Sequence, residues 1–254
     1  MVTTHSHLIK VVSSASRHTR VAVDIESNGL HRYNERVCLV QLEFGGTAFL
    51  IDTLTIKDVS PLGRLLADTS VQKIFHASDY DVRSLDRDWG FRISNLFDTS
   101  IASAFLGSTH LSLAAVLQEH LGIEIEKQTR MQRSDWTNRP IGAEAQEYAA
   151  NDVIHLTHAC RVLTKKLNRL SRLDWVAEEC ERMETVKHKP TDREWSFLAM
   201  KGSRDLDGRS LAILRSLHDL RERVACRIDR PPFKVAQESA LVQLAARPDS
   251  KLSD

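Results

Sequence analysis

The chain has 254 residues, 42% hydrophobic and 27% charged, with a net charge of +1. That balance belongs to folded globular proteins and excludes disordered and fibrous classes. No apolar run approaches the roughly 18 to 20 residues of a membrane span. At about 150 residues per domain, the length allows one full domain and a smaller one. Residues 1–20 hold no apolar core of a secretion signal, since the best stretch, 8–12, is short and interrupted by Lys10. The expected location is cytoplasmic, with no membrane partner. Charge divides unevenly: residues 1–160 carry 15 Lys+Arg against 19 Asp+Glu, and residues 161–254 carry 20 against 15. An acidic front suits a metal site, and a basic back attracts phosphate. Cys38, Cys160, Cys180 and Cys226 form no C-x-x-C pair, which predicts reduced thiols.

In chain order, residues 20–24 (RVAVD), 37–44 (VCLVQLEF) and 47–51 read as successive short strands separated by polar, Asn-Gly or Gly-Gly punctuation. Residues 61–66 predict a short helix, 71–75 a buried strand and 79–88 a helix. From Asp98 the pattern turns helical, with Ile101, Ala104 and Phe105, then Leu113, Val116, Leu117 and Leu121, recurring every three or four residues. Residues 128–140 (QTRMQRSDWTNRP) have no period and predict a loop; 143–170 predict one long helix, 173–183 a second, and 187–192 (KHKPTD) a linker. Helices follow at 211–224 and 238–246, around a Pro-Pro break within 229–233. Strands first and helices later make an α/β sheet with helices packed on it.

Three elements carry chemistry. The first strand runs into Asp24-Ile25-Glu26, and strand alternation sets both carboxylates on one face. Two acids held side by side repel unless a cation neutralises them. The second element is His76-Ala-Ser-Asp-Tyr-Asp81, which follows a later strand and opens a helix. The third is Tyr148-x-x-x-Asp152, whose spacing of four puts phenol and carboxylate on one helix face. Asp98 is expected to cap the helix opening at Thr99. No P-loop, G-x-G-x-x-G or G-x-S-x-G occurs, so nothing supports nucleotide-triphosphate, dinucleotide or serine-hydrolase chemistry.

In this order and spacing the three elements resemble the Tyr subclass of the DEDD superfamily of 3′-5′ exonucleases, and within it the ribonuclease D family. The stretches VAVDIESNGLHRYNERVCLVQL, KIFHASDYDVRSL, NLFDTSIASAFLG, LAAVLQEHLGI, RSDWTNRP and EYAANDVIHL, spread over about residues 20 to 160, carry the likeness. The His subclass has a histidine five positions before its last Asp; that position here is Glu147, so Tyr148 assigns the subclass. The resemblance implies a ribonuclease H-like mixed sheet flanked by helices, over residues 1–188. It implies two divalent metal ions, Mg²⁺ or Mn²⁺, suited to hard oxygen ligands. Asp24, Glu26, Asp81 and Asp152 would hold them, and Tyr148 would orient the attacking water. Asp81 is preferred to Asp79 by its spacing from His76, itself a structural or substrate-side histidine. In the loop, Arg133 and Arg139 are candidates for phosphate contacts and Trp136 for stacking on a base or packing on the domain.

Residues 214–248 resemble the HRDC module that follows the nuclease in ribonuclease D. The chain reaches Asp254 about halfway through the expected bundle, so residues 189–254 are expected to form a linker and a partial or truncated HRDC-like region, with Leu241 and Leu244 on its apolar face. The implied activity is trimming of RNA 3′ ends of the transfer-RNA precursor type, releasing 5′-mononucleotides. Short oligoribonucleotides, DNA 3′ ends and an inactive nucleic-acid-binding scaffold are the alternatives.

Overall fold

The computed structural model describes residues 1–125, 129–190 and 192–247. Gln128 of the expected loop, Thr191 of the expected linker and Pro248 of the HRDC-like stretch lie outside them. The chain divides into two compact units, Met1–Ser27 with Arg36–His188, and Asn28–Glu35 with Lys189–Asp254.

The first unit opens with α1 (His5–Ala15), a helix additional to those expected from the sequence. Thr4 caps it by accepting from the His7 amide, and Leu8, Val11, Val12 and Ala15, at the spacing of one helix face, are buried. The strands β1 (Arg20–Ser27), β2 (Val37–Phe44) and β3 (Thr47–Asp52) follow. Every residue of β2 is buried, as expected of a strand covered on both faces. Next come α2 (Ser60–Ala67), β4 (Gln72–Phe75), α3 (Asp79–Trp89) and a three-residue β5 (Leu96–Asp98), too short to announce itself in the sequence. The sheet order is β3-β2-β1-β4-β5, with β1, β2 and β3 antiparallel and β4 and β5 parallel to the sheet centre. The expected mixed sheet is therefore present, and β1 is its middle strand.

The helices that follow are α4 (Thr99–Leu106), α5 (Leu113–Leu121) and the single turn α6 (Thr129–Gln132), which lies inside the segment expected as a loop. The long helix expected over 143–170 is two helices, α7 (Ala143–Ile154) and α8 (Leu156–Arg169), parted at His155. The β-branched residues Val153, Ile154 and Thr157 lower helix preference around that break. Last in the unit is α9 (Leu173–Glu184). One hydrophobic core runs through both faces of the sheet. A smaller cluster of Cys38, Leu39, Leu50, Trp136 and Ala149 joins β2 and β3 to α7.

The second unit holds α10 (Gly208–Arg227), α11 (Pro232–Val235) and α12 (Glu238–Ala246) around a small core of Phe197, Met200, Leu214, Leu241 and Ala245. Leu241 is buried there while Leu244 stays exposed. The segment Asn28–Glu35 is tied into it: Arg32 pairs with Asp229 at 3.2 Å, the Tyr33 hydroxyl donates to Glu222, and the Arg193 guanidinium lies 4.6 Å from the Tyr33 ring centre. Among the described residues, no helix is long and apolar enough to cross a membrane. All four cysteines are free thiols, three of them buried.

Candidate active site

Asp24 and Glu26 leave β1 on the same face, opposite Gln41 and Leu39 of β2 in the register. Helix α7 covers this face and sets Tyr148 and Asp152 one turn apart above it. Carboxylate oxygens of Asp24, Glu26 and Asp152 all lie within 4.8 Å of one another. The Tyr148 hydroxyl donates to Asp152, and the Tyr148 ring is tilted against Trp136 with centroids 6.2 Å apart. These acids open onto a recess of about 440 Å³ that His76, Tyr80 and Leu111 also line.

Asp81 reaches the cluster from the first turn of α3 and is buried, at 6% exposure. Its Oδ1 has no hydrogen-bond partner, an arrangement that is costly unless a cation or water completes it. Asp79, two residues earlier, is exposed and spent on Arg83 through two bonds of 2.9 Å. The backbone between β4 and α3 turns through Ala77 at φ 56°, a left-handed conformation that a non-glycine residue adopts only when its surroundings enforce it. Asp98 enforces it. Its Oδ1 accepts from the amides of Ala77 (3.0 Å) and Ser100 (2.8 Å), and its Oδ2 from the amide and hydroxyl of Ser78 (both 2.7 Å). The cap expected on α4 is thus also the clamp that aims Asp81, and the sequence carries no signal for that second duty. We expect Asp98→Ala to lose about 3–5 kcal/mol in urea unfolding, the sum of a lost cap and newly orphaned buried amides.

Burial and mutual repulsion make the cluster electrostatically strained. Asp24 and Glu26 are held well above the usual carboxylate range, first by burial and then by neighbouring acids, Asp81 foremost for Asp24 and Asp152 for Glu26. Burial pushes Asp81 up to about 8 and Asp152 up to about 6. Tyr148 is raised well above an ordinary phenol by burial and by Asp152, so it holds its proton. Burial lowers His76, whose Nδ1 lies 2.9 Å from the Thr99 hydroxyl. Three converging carboxylates, with the buried Asp81 and its orphaned oxygen pressing on them, form an all-oxygen donor set that fits divalent metal ions. Gln41, which faces Asp24 across the strands and is fully buried, has neither amide atom hydrogen-bonded. It is a polar residue near the site that sequence reasoning passes over.

The loop residues take different roles. Trp136 is buried, at 3% exposure, with its ring in the cluster under α7, so it is packing rather than a base platform. Arg139 gives Nε and Nη2 to the buried Asp52 at 2.6 and 2.7 Å, and its other donors to the carbonyls of Cys38, Trp136 and Asn138. All five N–H groups are spent inside the domain, which corrects the expectation of a phosphate contact. We expect Arg139→Ala to cost about 3 kcal/mol in thermal or urea unfolding, because it strands the Asp52 charge, and to leave RNA affinity nearly unchanged. Arg133 is exposed just past α6.

A family model described as 3′-5′ exonuclease matches residues 1–168, and one for the HRDC domain matches residues 210–253. A curated ribonuclease D from Desulfotalea psychrophila is 30% identical over 97% of this chain and 66% of its own length. The crystal structure of Escherichia coli RNase D, described as an exoribonuclease involved in structured RNA processing, is 29% identical with a TM-score of 0.80, covering 99% of this chain and 67% of that one. The catalytic core of RRP6 from Trypanosoma brucei superposes with a TM-score of 0.85 at 27% identity, over 98% of this chain and 70% of that one. The chain spans 66% or less of the length of the first curated relatives it matches. With the exonuclease model covering well over half of its residues, the chain belongs to the 3′-5′ exonuclease family.

Proposed function

We propose that the chain is a metal-dependent 3′-5′ exoribonuclease, with residues 1–188 as the nuclease domain and 189–254 as a linker and HRDC-like helical region. The observation that carries this is the convergence of Asp24, Glu26 and Asp152 within 4.8 Å, with Tyr148 bonded to the last of them. Asp24 would bridge two ions, Glu26 and Asp152 would hold the one on the nucleophile side, and Asp81 would hold the second. When bound, such ions would supply Lewis-acid activation of the phosphate and of the attacking water. The chain's own residues do the positioning. Asp24, Glu26 and Asp152 keep charge where it is costly alone and useful beside a cation. Tyr148 spends its one proton on Asp152, so its oxygen is left to orient the attacking water as an acceptor. His76 lies on the wall of the same recess and would border a terminal nucleotide held there.

Kinship with the ribonuclease D relatives favours RNA 3′ ends, transfer-RNA precursors among them, as substrate, and Mg²⁺ or Mn²⁺ as the ions. The test is a time course on a 5′-labelled single-stranded RNA and its DNA counterpart, with each metal and with chelator. A ladder shortening from the 3′ end of the RNA, absent with chelator and slower on DNA, is expected. No shortening with either metal would refute the enzyme reading and favour a nucleic-acid-binding scaffold.

A further inference from the structure

The same unit carries a second recess, of about 380 Å³, bounded by the ends of α4, α5 and α8 and lined by Leu106, Glu119, His120, Lys166, Arg169 and Leu170. Its one acid is already engaged. Ser108 donates to Glu119 at 2.9 Å, Ser108 Oγ lies 3.2 Å from His120 Nε2, and Lys166 Nζ lies 3.0 Å from His120 Nδ1. An ammonium only donates, so His120 must accept at Nδ1, carry its proton at Nε2 and pass the polarity on to Ser108. The chain of donors running from Lys166 to Glu119 fixes the ammonium at the recess while using one of its three N–H groups. Arg169 is exposed, with no ion pair or hydrogen bond among the described residues. Two cations beside a neutral imidazole, next to Leu106 and the half-exposed Leu170, suit an oxyanion attached to an apolar body.

Helix α5 links this recess to the acid site. Leu111, Ser112 and Leu113 at its start line the acid recess, and Glu119 and His120 near its end line the basic one. Leu113 and His120 are seven residues apart, so they share one face of α5, two turns and about 10 Å from each other. At about 3.4 Å per stacked nucleotide, that spacing sets the two recesses several nucleotides apart along a strand. We propose that the Lys166–Arg169 recess binds a backbone phosphate of the RNA strand several nucleotides upstream of the 3′ end held at the acids. This rests on the exoribonuclease reading and adds a subsite to it.

The test compares the parent with Lys166→Met/Arg169→Ala and with Arg169→Glu, using Lys165→Ala as a control for an exposed cation outside the recess. On a single-stranded RNA octamer, KM is expected to rise about tenfold at unchanged kcat. The slope of log Kd against log salt should become shallower by about 0.7 for each phosphate that the variant no longer neutralises. A dinucleotide, too short to reach the recess, should be cleaved as by the parent, and Lys165→Ala should match the parent on both. Unchanged octamer KM and salt slope would overturn the proposal, as would an equal effect of Lys165→Ala or an equal loss on the dinucleotide. Should the parent cleave neither RNA, the exonuclease reading has failed on its own. The octamer Kd, measured by anisotropy with chelator present, then decides the recess: a Kd unchanged in the variants overturns it, and a tenfold weakening upholds it.

Discussion

Asp24→Asn is expected to slow removal of RNA 3′ nucleotides by more than about 10³-fold, while the Kd for the same RNA stays within about threefold of the parent. Losing a residue that merely orients a metal ligand already costs about 10- to 100-fold, so losing a ligand from the centre of the cluster must cost more. Asp24 is that centre, because Asp81, Asp152 and Glu26 all press on its charge. Asparagine keeps the shape and removes a charge that burial penalises, so the variant should melt no lower than the metal-free parent. Single-turnover cleavage and equilibrium binding on the same preparation separate the two effects. Asp152→Asn should behave alike, with the amide oxygen still accepting from Tyr148. Turnover within tenfold of the parent for both variants would mean that the chemistry happens elsewhere.

The second large effect concerns stability. In the chelated protein the folded state holds protons on these carboxyls that the unfolded chain, with carboxyls near about 4, releases. The folded form therefore binds more protons between about pH 4 and the raised values, about 6 for Asp152 and about 8 for Asp81, and stability must fall as pH rises through that window. Chelated protein is expected to melt on the order of 10 °C lower at about pH 8 than at about pH 5, at about 2–4 °C per kcal/mol for a chain of this size. Mg²⁺ or Mn²⁺ should cancel most of the difference, because a cation replaces the missing protons. Asp81→Asn should flatten the chelated profile and raise melting at the alkaline end. A profile that rises with pH, or ignores metal, would show that the carboxyls do not converge as described.

Much of the fold is legible in the sequence where local pattern suffices. The strand over 37–44 and the helix over 238–246 stand at the expected residues, because an unbroken apolar run and a compact helical period need no distant partner. The break at His155 is not legible, since neither Pro nor Gly marks it. The two roles of Asp98 separate the local from the remote. Its cap on α4 concerns its immediate neighbours, whereas its grip on Ala77 and Ser78 spans about 20 residues and depends on a left-handed turn that no residue type announces. Arg139 departs from expectation for the same reason: its partner Asp52 lies 87 positions away, and an arginine in a polar loop looks free until the fold spends it. The acids are readable as a set only through their family spacing, since in the sequence each alone reads as an ordinary surface acid.

The segment Asn28–Glu35 has a consequence for dissecting the protein. It interrupts the nuclease chain directly after the strand that bears Asp24 and Glu26, yet it belongs to the C-terminal unit, with Tyr33 beneath Arg193 and Arg32 on Asp229. The C-terminal unit is therefore discontinuous, and a single cut at residues 188–189 does not release it intact. A fragment of residues 189–254 lacks the phenol and the guanidinium that its Arg193, Glu222 and Asp229 engage, and the complementary fragment keeps those groups with their partners gone. Grafting that region onto another nuclease would carry its internal contacts only if these eight residues travelled with it.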